Sequence, residues 1–163
     1  MHIQFITTGG TIDKIYFDAL SQFEVGDSQV KAMLTDALVD FTYDIIPILK
    51  KDSLDITDED RATIRTHIEA SHHSHFIVTH GTDTMPETAA ALRDVENKTV
   101  VLTGALTPAR FRTTDAVFNI GMAVGTVQTA ASGVYIAMSG QVFKAGKVRK
   151  NREANRFEST LDD

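Results

Sequence analysis

The sequence has 163 residues, of which 42% are hydrophobic and 23% are charged, and it carries a net charge of −6. This length and composition are typical of one globular domain with a core of its own. The negative charge argues against nucleic acid as a partner, because binding to phosphates needs a basic surface. The absence of cysteine excludes disulfides, thiolate catalysis and zinc sites with cysteine ligands.

The N-terminal segment shows no targeting or membrane signal. No apolar run approaches the roughly 20 residues that a membrane-spanning helix needs, so we expect no membrane partner. The segment lacks the basic residues and the long apolar run of a signal peptide, and we therefore expect a cytoplasmic protein. Its first apolar run, IQFI, is followed at once by the glycine-rich turn TTGGT.

Apolar, β-branched segments alternate with amphipathic segments along the chain. The predicted strands are residues 2–7, 41–48, 76–79, 99–103 and 133–138. The predicted helices are residues 28–38, 57–71, 84–94 and 114–130. Alternation at this spacing predicts an α/β fold with three layers, in which a doubly wound, mostly parallel sheet has helices on both faces.

The C-terminal tail differs in composition from the rest of the chain. Residues 146–163 are highly charged and have few apolar side chains. We interpret them as a charged extension, mostly solvated and partly ordered, of a single domain that spans residues 1–163. No internal repeat, linker or low-complexity segment divides the sequence.

Polar clusters follow four of the predicted strands. They are TTGGTIDK, KKDSLDIT, HGTDT and TGALTPAR, in chain order. Ligands of open parallel sheets bind beyond the carboxyl ends of the strands. The pattern therefore predicts one site at that edge, with hydroxyls, glycines and a carboxylate.

Each of these clusters also has a purely structural interpretation. TTGGTI lacks both the dinucleotide-binding and the Walker fingerprints, which disfavours a nucleotide site. Thr82 and Thr84 could be helix N-caps, and Asp83 could be an acid that the helix dipole favours. His80 could act as a base or brace the turn as a neutral residue, and we favour the second interpretation.

Four histidines lie close together in sequence at residues 67, 72, 73 and 75. Histidine is a frequent metal ligand, so the segment ASHHSHF could belong to a metal site. Histidine is also favoured electrostatically at the C-terminal end of a helix, where this segment is predicted to lie. We favour the electrostatic interpretation and predict no metal site.

Two motifs carry a resemblance to a known family. TTGGTIDK and VTHGTDTM resemble the two signature motifs of bacterial-type L-asparaginases and glutaminases. DSLDITDEDR resembles the substrate-binding segment between them, and VVLTGALTPAR resembles the strand and loop that follow. The resemblance covers essentially the whole chain, but only the N-terminal, flavodoxin-like domain of those enzymes, which end in a second, smaller domain.

The resemblance implies an amidohydrolase that converts L-asparagine and water to L-aspartate and ammonia through an acyl-enzyme. Weak activity on glutamine is also implied. The family mechanism needs no cofactor, and the family forms homodimers or homotetramers.

The resemblance also implies the site residues. Thr11 matches the nucleophile, and Thr82 matches the second essential threonine. Asp83 helps to bind the substrate amino group, and Lys150, in VRKNR, completes a Thr82–Lys150–Asp83 relay. If Lys150 has this role, the part of the tail around it must dock on the domain.

The remaining implied residues bind the substrate. In the DS pair formed by Asp52 and Ser53, Ser53 holds the α-carboxylate. The backbone of Gly10 and Gly81 can approach an amide oxygen closely, and such N–H donors stabilise an oxyanion. The carbonyl of Ala105 resembles the group that contacts the leaving nitrogen.

The sequence departs from the family pattern at several positions. Phe23 occupies the register of the lid tyrosine that activates the nucleophile, and we hypothesise that Tyr16 replaces it. Leu54 stands where many relatives carry a polar residue, so substrate discrimination is expected to be altered.

The absence of the second, smaller domain and the presence of Phe23 favour a second interpretation, a binding module for aspartate or asparagine that has lost turnover. The retained Thr11, Thr82, Asp83 and candidate lysine favour the enzyme, because a pure binding protein needs no second threonine beside a lysine.

Overall fold

The computed structural model describes residues 1–17 and 22–160 of the chain. The strands in these ranges are β1 His2–Gly9, β2 Lys14–Phe17, β3 Gln22–Val25, β4 Thr42–Lys51, β5 His75–Thr79, β6 Thr99–Thr103, β7 Gly133–Met138, β8 Gln141–Lys144, β9 Val148–Asn151 and β10 Arg156–Ser159. The helices are α1 Val30–Asp36, α2 Asp58–Ala70, α3 Met85–Leu92 and α4 Ala116–Thr129. None of these helices is long and apolar enough to cross a membrane.

The centre of the fold is a six-stranded sheet with the strand order β4-β1-β5-β6-β7-β8. All neighbouring strands are parallel except β7 and β8, which are antiparallel. Numbered by their order in the chain, the five parallel strands run 2-1-3-4-5, which is the flavodoxin-like order. The predicted α/β fold is confirmed.

Alternating side chains of the sheet face two separate cores, as strand geometry requires. Phe76 and Val78 of β5 face α2 and α3, whereas Ile77 faces α1 and α4. The helices contribute the stripes that the sequence periodicity predicts, for example Ile64 and Ile68 of α2. Both faces of the sheet are therefore covered, and a ligand can approach only at its edges.

The C-terminal tail forms a hairpin in which most side chains are exposed and a few dock on the domain. Strands β9 and β10 pair antiparallel, with Phe157 opposite Lys150. Val148 and Phe157 are buried in the core that contains α2 and α3. Lys150 lies two residues after Val148 and opposite Phe157, so all three side chains share the face that packs on the domain.

A second hairpin, β2–β3, follows the first rim loop and was not predicted. Its two ends are joined at Asp13, whose carbonyl accepts a hydrogen bond from Gly26 N at 2.8 Å. The buried carboxylate of Asp13 also accepts from Gln29 N at 2.9 Å, which connects the hairpin to the start of α1.

The outer strand β4 forms one edge of the large sheet. Pro47 lies in the middle of this strand, in register with Thr7 of β1. Proline has no N–H to donate, and within sheets it is confined mainly to edge strands.

Asn119 fixes the loop that follows β6. Its side chain is fully buried, donates to Gly104 O at 3.0 Å and accepts from Ser139 N at 3.0 Å. It also donates to Asp115, which in turn accepts from Leu106 N at 2.9 Å. One amide therefore joins α4 to two loops.

Replacing Asn119 by leucine should lower the free energy of unfolding by about 2–4 kcal/mol, because several buried polar groups lose a partner. The matched control is Gln128→Leu on the exposed face of the same helix, which should change it by less than about 0.5 kcal/mol. Urea denaturation measures both. An equal effect of the two variants would contradict the assigned role of Asn119.

Candidate active site

Three rim loops pack backbone against backbone at the carboxyl edge of the sheet. A Cβ atom at Gly10 would lie 2.4 Å from Gly81 N, and one at Gly81 would lie 2.5 Å from Ser53 Cβ. Such distances are closer than a side chain tolerates, so only glycine permits this packing at either position. The loops after β1, β4 and β5 therefore meet at one point.

This meeting point lies where the strand order reverses. β5 follows β4 in the chain but pairs with β1 on the side opposite to β4. Crevices of open α/β sheets form at such a switch point, because successive connections leave to opposite faces. The candidate site therefore has the location that the fold favours for ligand binding.

Thr11 begins a 3-10 turn, Thr11–Asp13, directly after the contacting glycine. Gly10 has a φ of 86°, in the left-handed region that favours glycine, and its N–H donates to Lys51 O at 2.9 Å. The side chain of Thr11 is half-buried. Thr11 therefore directly follows the residue whose backbone contacts the loop that carries Thr82.

Lys150 joins the two polar residues of the HGTD turn. Its Nζ donates to Thr82 Oγ1 at 2.7 Å and to Asp83 Oδ1 at 2.7 Å. The side chain of Lys150 is only 8% exposed, and Asp83 is its ion-pair partner. Arg152 adds a second positive charge, with Nε 3.9 Å from the same carboxylate oxygen.

The DS pair is held from two sides. Ser53 is buried, and its carbonyl accepts a hydrogen bond from Thr84 Oγ1 at 2.6 Å. Asp52 accepts from Leu54 N and pairs with Lys14 Nζ at 2.6 Å. Burial raises the pKa of Asp52, but the hydrogen bonds from Lys14 and from backbone N–H groups outweigh it and hold the pKa below its usual value.

His80 braces the HGTD turn. Its fully buried ring donates from Nδ1 to Gly81 O at 2.7 Å, while Nε2 lies 2.8 Å from Thr88 Oγ1. Thr88 itself accepts from Arg61 Nε at 3.1 Å, so its hydroxyl proton is available for His80. Burial lowers the pKa of His80 to about 4, which keeps the ring neutral. Both ring nitrogens are occupied, which leaves no base for a substrate.

Tyr16 and Phe23 lie side by side on the β2–β3 hairpin. They are directly opposite each other, with ring centroids 5.5 Å apart. Tyr16 is 53% exposed, and Phe23 also contacts Phe111 at 5.9 Å. The side chain of Tyr16 thus packs in the same aromatic cluster as Phe23, the residue at the position where the sequence resemblance expects the lid tyrosine.

The loop after β6 completes the rim. Ala105 is buried, and the preceding Gly104 packs so closely on the HGTD turn that a Cβ there would lie 2.3 Å from His80 O. Sequence reasoning missed the residues that hold this loop, Asp115 and Asn119. Their spacing of four at the start of a predicted helix was the available signal.

The buried groups Asp13 and His80 respond to pH in opposite directions. Burial raises the pKa of Asp13 to about 6, against a backbone hydrogen bond from Gln29 that lowers it. The folded state therefore binds the extra proton of Asp13 more tightly than the unfolded state, and stability from this group is lost as the pH rises to 6. Because the pKa of His80 is lowered in the folded state, the unfolded state binds this proton first, and the free energy of unfolding decreases as the pH falls from about 6.5 to 4.

The variant Asp13→Asn should be more stable than the natural chain at pH 7, by roughly 2–3 kcal/mol, since it removes a buried charge. The difference should disappear near pH 4, where Asp13 is protonated. Denaturation at the two pH values measures this, with the exposed Asp40→Asn as control. A stability difference that does not depend on pH would contradict the raised pKa of Asp13.

The sequence matches a family model and is similar to named L-asparaginases. Residues 2–160 match the family model described as Asparaginase, N-terminal. The probable periplasmic L-asparaginase of Haemophilus influenzae is 38% identical over 111 residues, which is 63% of this chain and 32% of that protein. The L-asparaginase of Bacillus licheniformis is 29% identical over 164 residues, which is 94% of this chain and 51% of that protein.

Structural comparison agrees with this match. The thermostable L-asparaginase from Thermococcus kodakarensis superposes with a TM-score of 0.83 at 26% identity, over 98% of this chain and 51% of that one. The chain thus spans between a third and about half of the length of these relatives. The chain therefore belongs to the asparaginase family, and residues 2–160 correspond to the N-terminal domain of that family.

Proposed function

We propose that this chain hydrolyses the side-chain amide of L-asparagine to L-aspartate and ammonia. The observation that carries the proposal is the buried Lys150, which donates to both Thr82 and Asp83. A buried cation is costly unless it is paired, and this one has a hydroxyl as its second acceptor. A lysine in contact with a hydroxyl is an arrangement that supports proton transfer at that oxygen.

Thr11 is the nucleophile in the proposed reaction. Its Oγ1 attacks the amide carbon, its proton passes to the leaving nitrogen, and ammonia departs from an acyl-enzyme ester. Water then attacks this ester, giving the carboxylic acid of aspartate and restoring the Thr11 hydroxyl. The backbone N–H groups that follow Gly10 and Gly81, those of Thr11 and Thr82, are the proposed donors to the oxyanion of each tetrahedral intermediate.

Thr82 and Lys150 are proposed to handle the proton of the attacking group. Thr82 Oγ1 accepts this proton and passes its own hydroxyl proton to the leaving nitrogen, and the Lys150 ammonium stabilises the negative charge that develops on that oxygen during the exchange. Asp83 holds the ammonium through Oδ1 and offers Oδ2 to the amino group of the substrate. Asp83 thus links substrate binding to the position of the relay.

The other proposed substrate contacts follow from the rim. Ser53 holds the α-carboxylate, with Asp52 fixing its loop through Lys14, and the carbonyl of Ala105 contacts the leaving nitrogen. Activity on glutamine is proposed to be weak. We also propose a homodimer or homotetramer without cofactor, in the cytoplasm, although the Haemophilus relative is named as periplasmic.

The second candidate function is a binding module for L-aspartate or L-asparagine that lacks turnover. The exposure of Tyr16, which packs on Phe23, favours it, because an activating hydroxyl must reach Thr11. Both functions predict stabilisation by L-aspartate, but only the enzyme releases ammonia.

The chain should release ammonia from L-asparagine, and both Thr11→Val and Lys150→Met should lower kcat by at least about 100-fold. Lys147→Met is the matched control, because Lys147 lies exposed in the same tail, and it should retain the natural rate. Stabilisation of the chain by L-aspartate shows that the binding site is intact. Stabilisation without any ammonia would establish the binding module instead.

Tyr16→Phe tests the origin of the activating hydroxyl. We expect a loss of kcat of about 100-fold or more, with a much smaller change in KM. Because Tyr16 lies opposite Phe23, the double variant Tyr16→Phe/Phe23→Tyr should recover part of the rate. Turnover of the single variant within a few-fold of the natural chain, matching the control Tyr43→Phe on β4, would remove Tyr16 from the mechanism.

A further inference from the structure

Three potential metal ligands converge at the amino edge of the sheet, opposite the candidate active site. His2 starts β1, Asp44 lies near the start of β4, and His73 precedes β5. One ligand atom from each residue lies within 4.8 Å of the other two. Three separate elements supply them, so the group is assembled only by the fold.

The hydrogen bonds of His2 fix which nitrogen faces Asp44. Thr42 Oγ1 donates to Met1 O at 3.2 Å, and the same oxygen lies 3.1 Å from His2 Nδ1. When the Thr42 proton lies on Met1 O, Thr42 Oγ1 accepts from Nδ1–H, and the Nε2 lone pair then points at the Asp44 carboxylate. That nitrogen is 3.0 Å from Asp44 Oδ2, and two lone pairs repel at this distance, so a proton or a metal ion must lie between the two atoms.

The position of His73 favours a metal ion over a proton between His2 and Asp44. Its Nε2 lies 3.9 Å from the same oxygen, Asp44 Oδ2, and its ring stacks on His2 with centroids 4.1 Å apart. Tetrahedral zinc with bonds of about 2.0–2.1 Å places its ligand atoms about 3.3 Å apart. The observed 3.0 and 3.9 Å lie on either side of this value, whereas a proton shared by His2 and Asp44 would leave His73 without a role.

The loop that carries His73 is held in place from outside the group. Lys98 Nζ donates to the carbonyls of Ser71 and His73, and His73 N donates to Ser71 Oγ at 3.2 Å. Thr42 likewise orients His2 from behind, as outer-shell partners of metal-ligating histidines do. The ligands are therefore preorganised.

We propose that His2, Asp44 and His73 bind a divalent transition-metal ion of the zinc class. From the sequence we predicted no metal site, and the candidate ligands were only the histidines near His73. Of these, His67 is bound to Gln4 and His75 lies against Ser74, so each has another partner. Two ligands come instead from strands β1 and β4.

The proposed ion has a structural role. It ties the starts of two neighbouring strands to the loop between α2 and β5. β1 runs from His2 to Gly9, so at about 3.3 Å per residue the ion lies about 23 Å from the active-site rim. The site therefore takes no part in amide hydrolysis, and its test does not depend on the proposed activity.

The experiment is zinc titration of the 163-residue chain after chelator treatment, at a pH near 7.5. We expect saturable binding of about one ion per chain and a raised unfolding temperature. The variants His73→Ala and Asp44→Asn should each bind at least about tenfold more weakly, and Thr42→Val about tenfold more weakly through the lost outer-shell contact. His75→Ala, in the same segment, is the matched control and should bind as the natural chain does.

Cobalt is a second probe, because absorption near 500–650 nm reports a four- or five-coordinate ion, and this band should disappear in Asp44→Asn.

Unfolding measured without metal establishes that each variant is folded, and Asp44→Asn decides the result if His73→Ala does not fold. Absence of saturable zinc binding, or equal affinity in Asp44→Asn, would overturn the proposal and leave an imidazolium–carboxylate pair.

Discussion

The contact between the backbones of Gly10 and Gly81 determines the geometry of the candidate active site. β1 and β5 are parallel neighbours, so their following loops leave the sheet at the same edge. A side chain at position 10 would collide with Gly81, and one at position 81 would collide with Ser53 on the loop after β4. With glycine at both positions the three loops touch, and Thr11 and Thr82 each directly follow one of these glycines.

The relay lysine depends on a different constraint, the docking of the C-terminal hairpin. Lys150 is 68 residues from Thr82 in the chain, and no local interaction could bring the two together. Val148 and Phe157 supply the apolar area that fixes the hairpin, and the lysine shares their face. The hydrophobic effect thus positions a charged group, and the ion pair with Asp83 compensates for its burial.

Much of the fold and of the rim could be predicted from sequence because their signals are local. Hydrophobic periodicity gave the five parallel strands and four helices, and the polar clusters at strand ends indicated one edge. The two smaller hairpins were missed, since each has only two short strands and no continuous apolar pattern. The anchoring roles of Asp13 and Asn119 were also missed, because a buried polar residue cannot be distinguished from a solvated one until its hydrogen-bond partners are known.

The histidine-rich segment shows that residues close in sequence need not act together. Its four histidines drew attention because they are close in sequence, yet the fold gives them different partners. His67 packs on Gln4 of β1, and only His73 reaches Asp44. Proximity along a chain is therefore a poor guide to shared chemistry when the residues span the junction of a helix and a strand.

Pro47 limits how copies of this chain can associate. A strand at the edge of a sheet exposes unpaired backbone groups that can recruit a strand from another molecule. The proline interrupts that row of donors halfway along β4, so a continuous intermolecular ladder cannot form across this edge. Association of copies across the β4 edge must therefore rely on side-chain surfaces, and the interruption also protects this edge against fibril-like polymerisation.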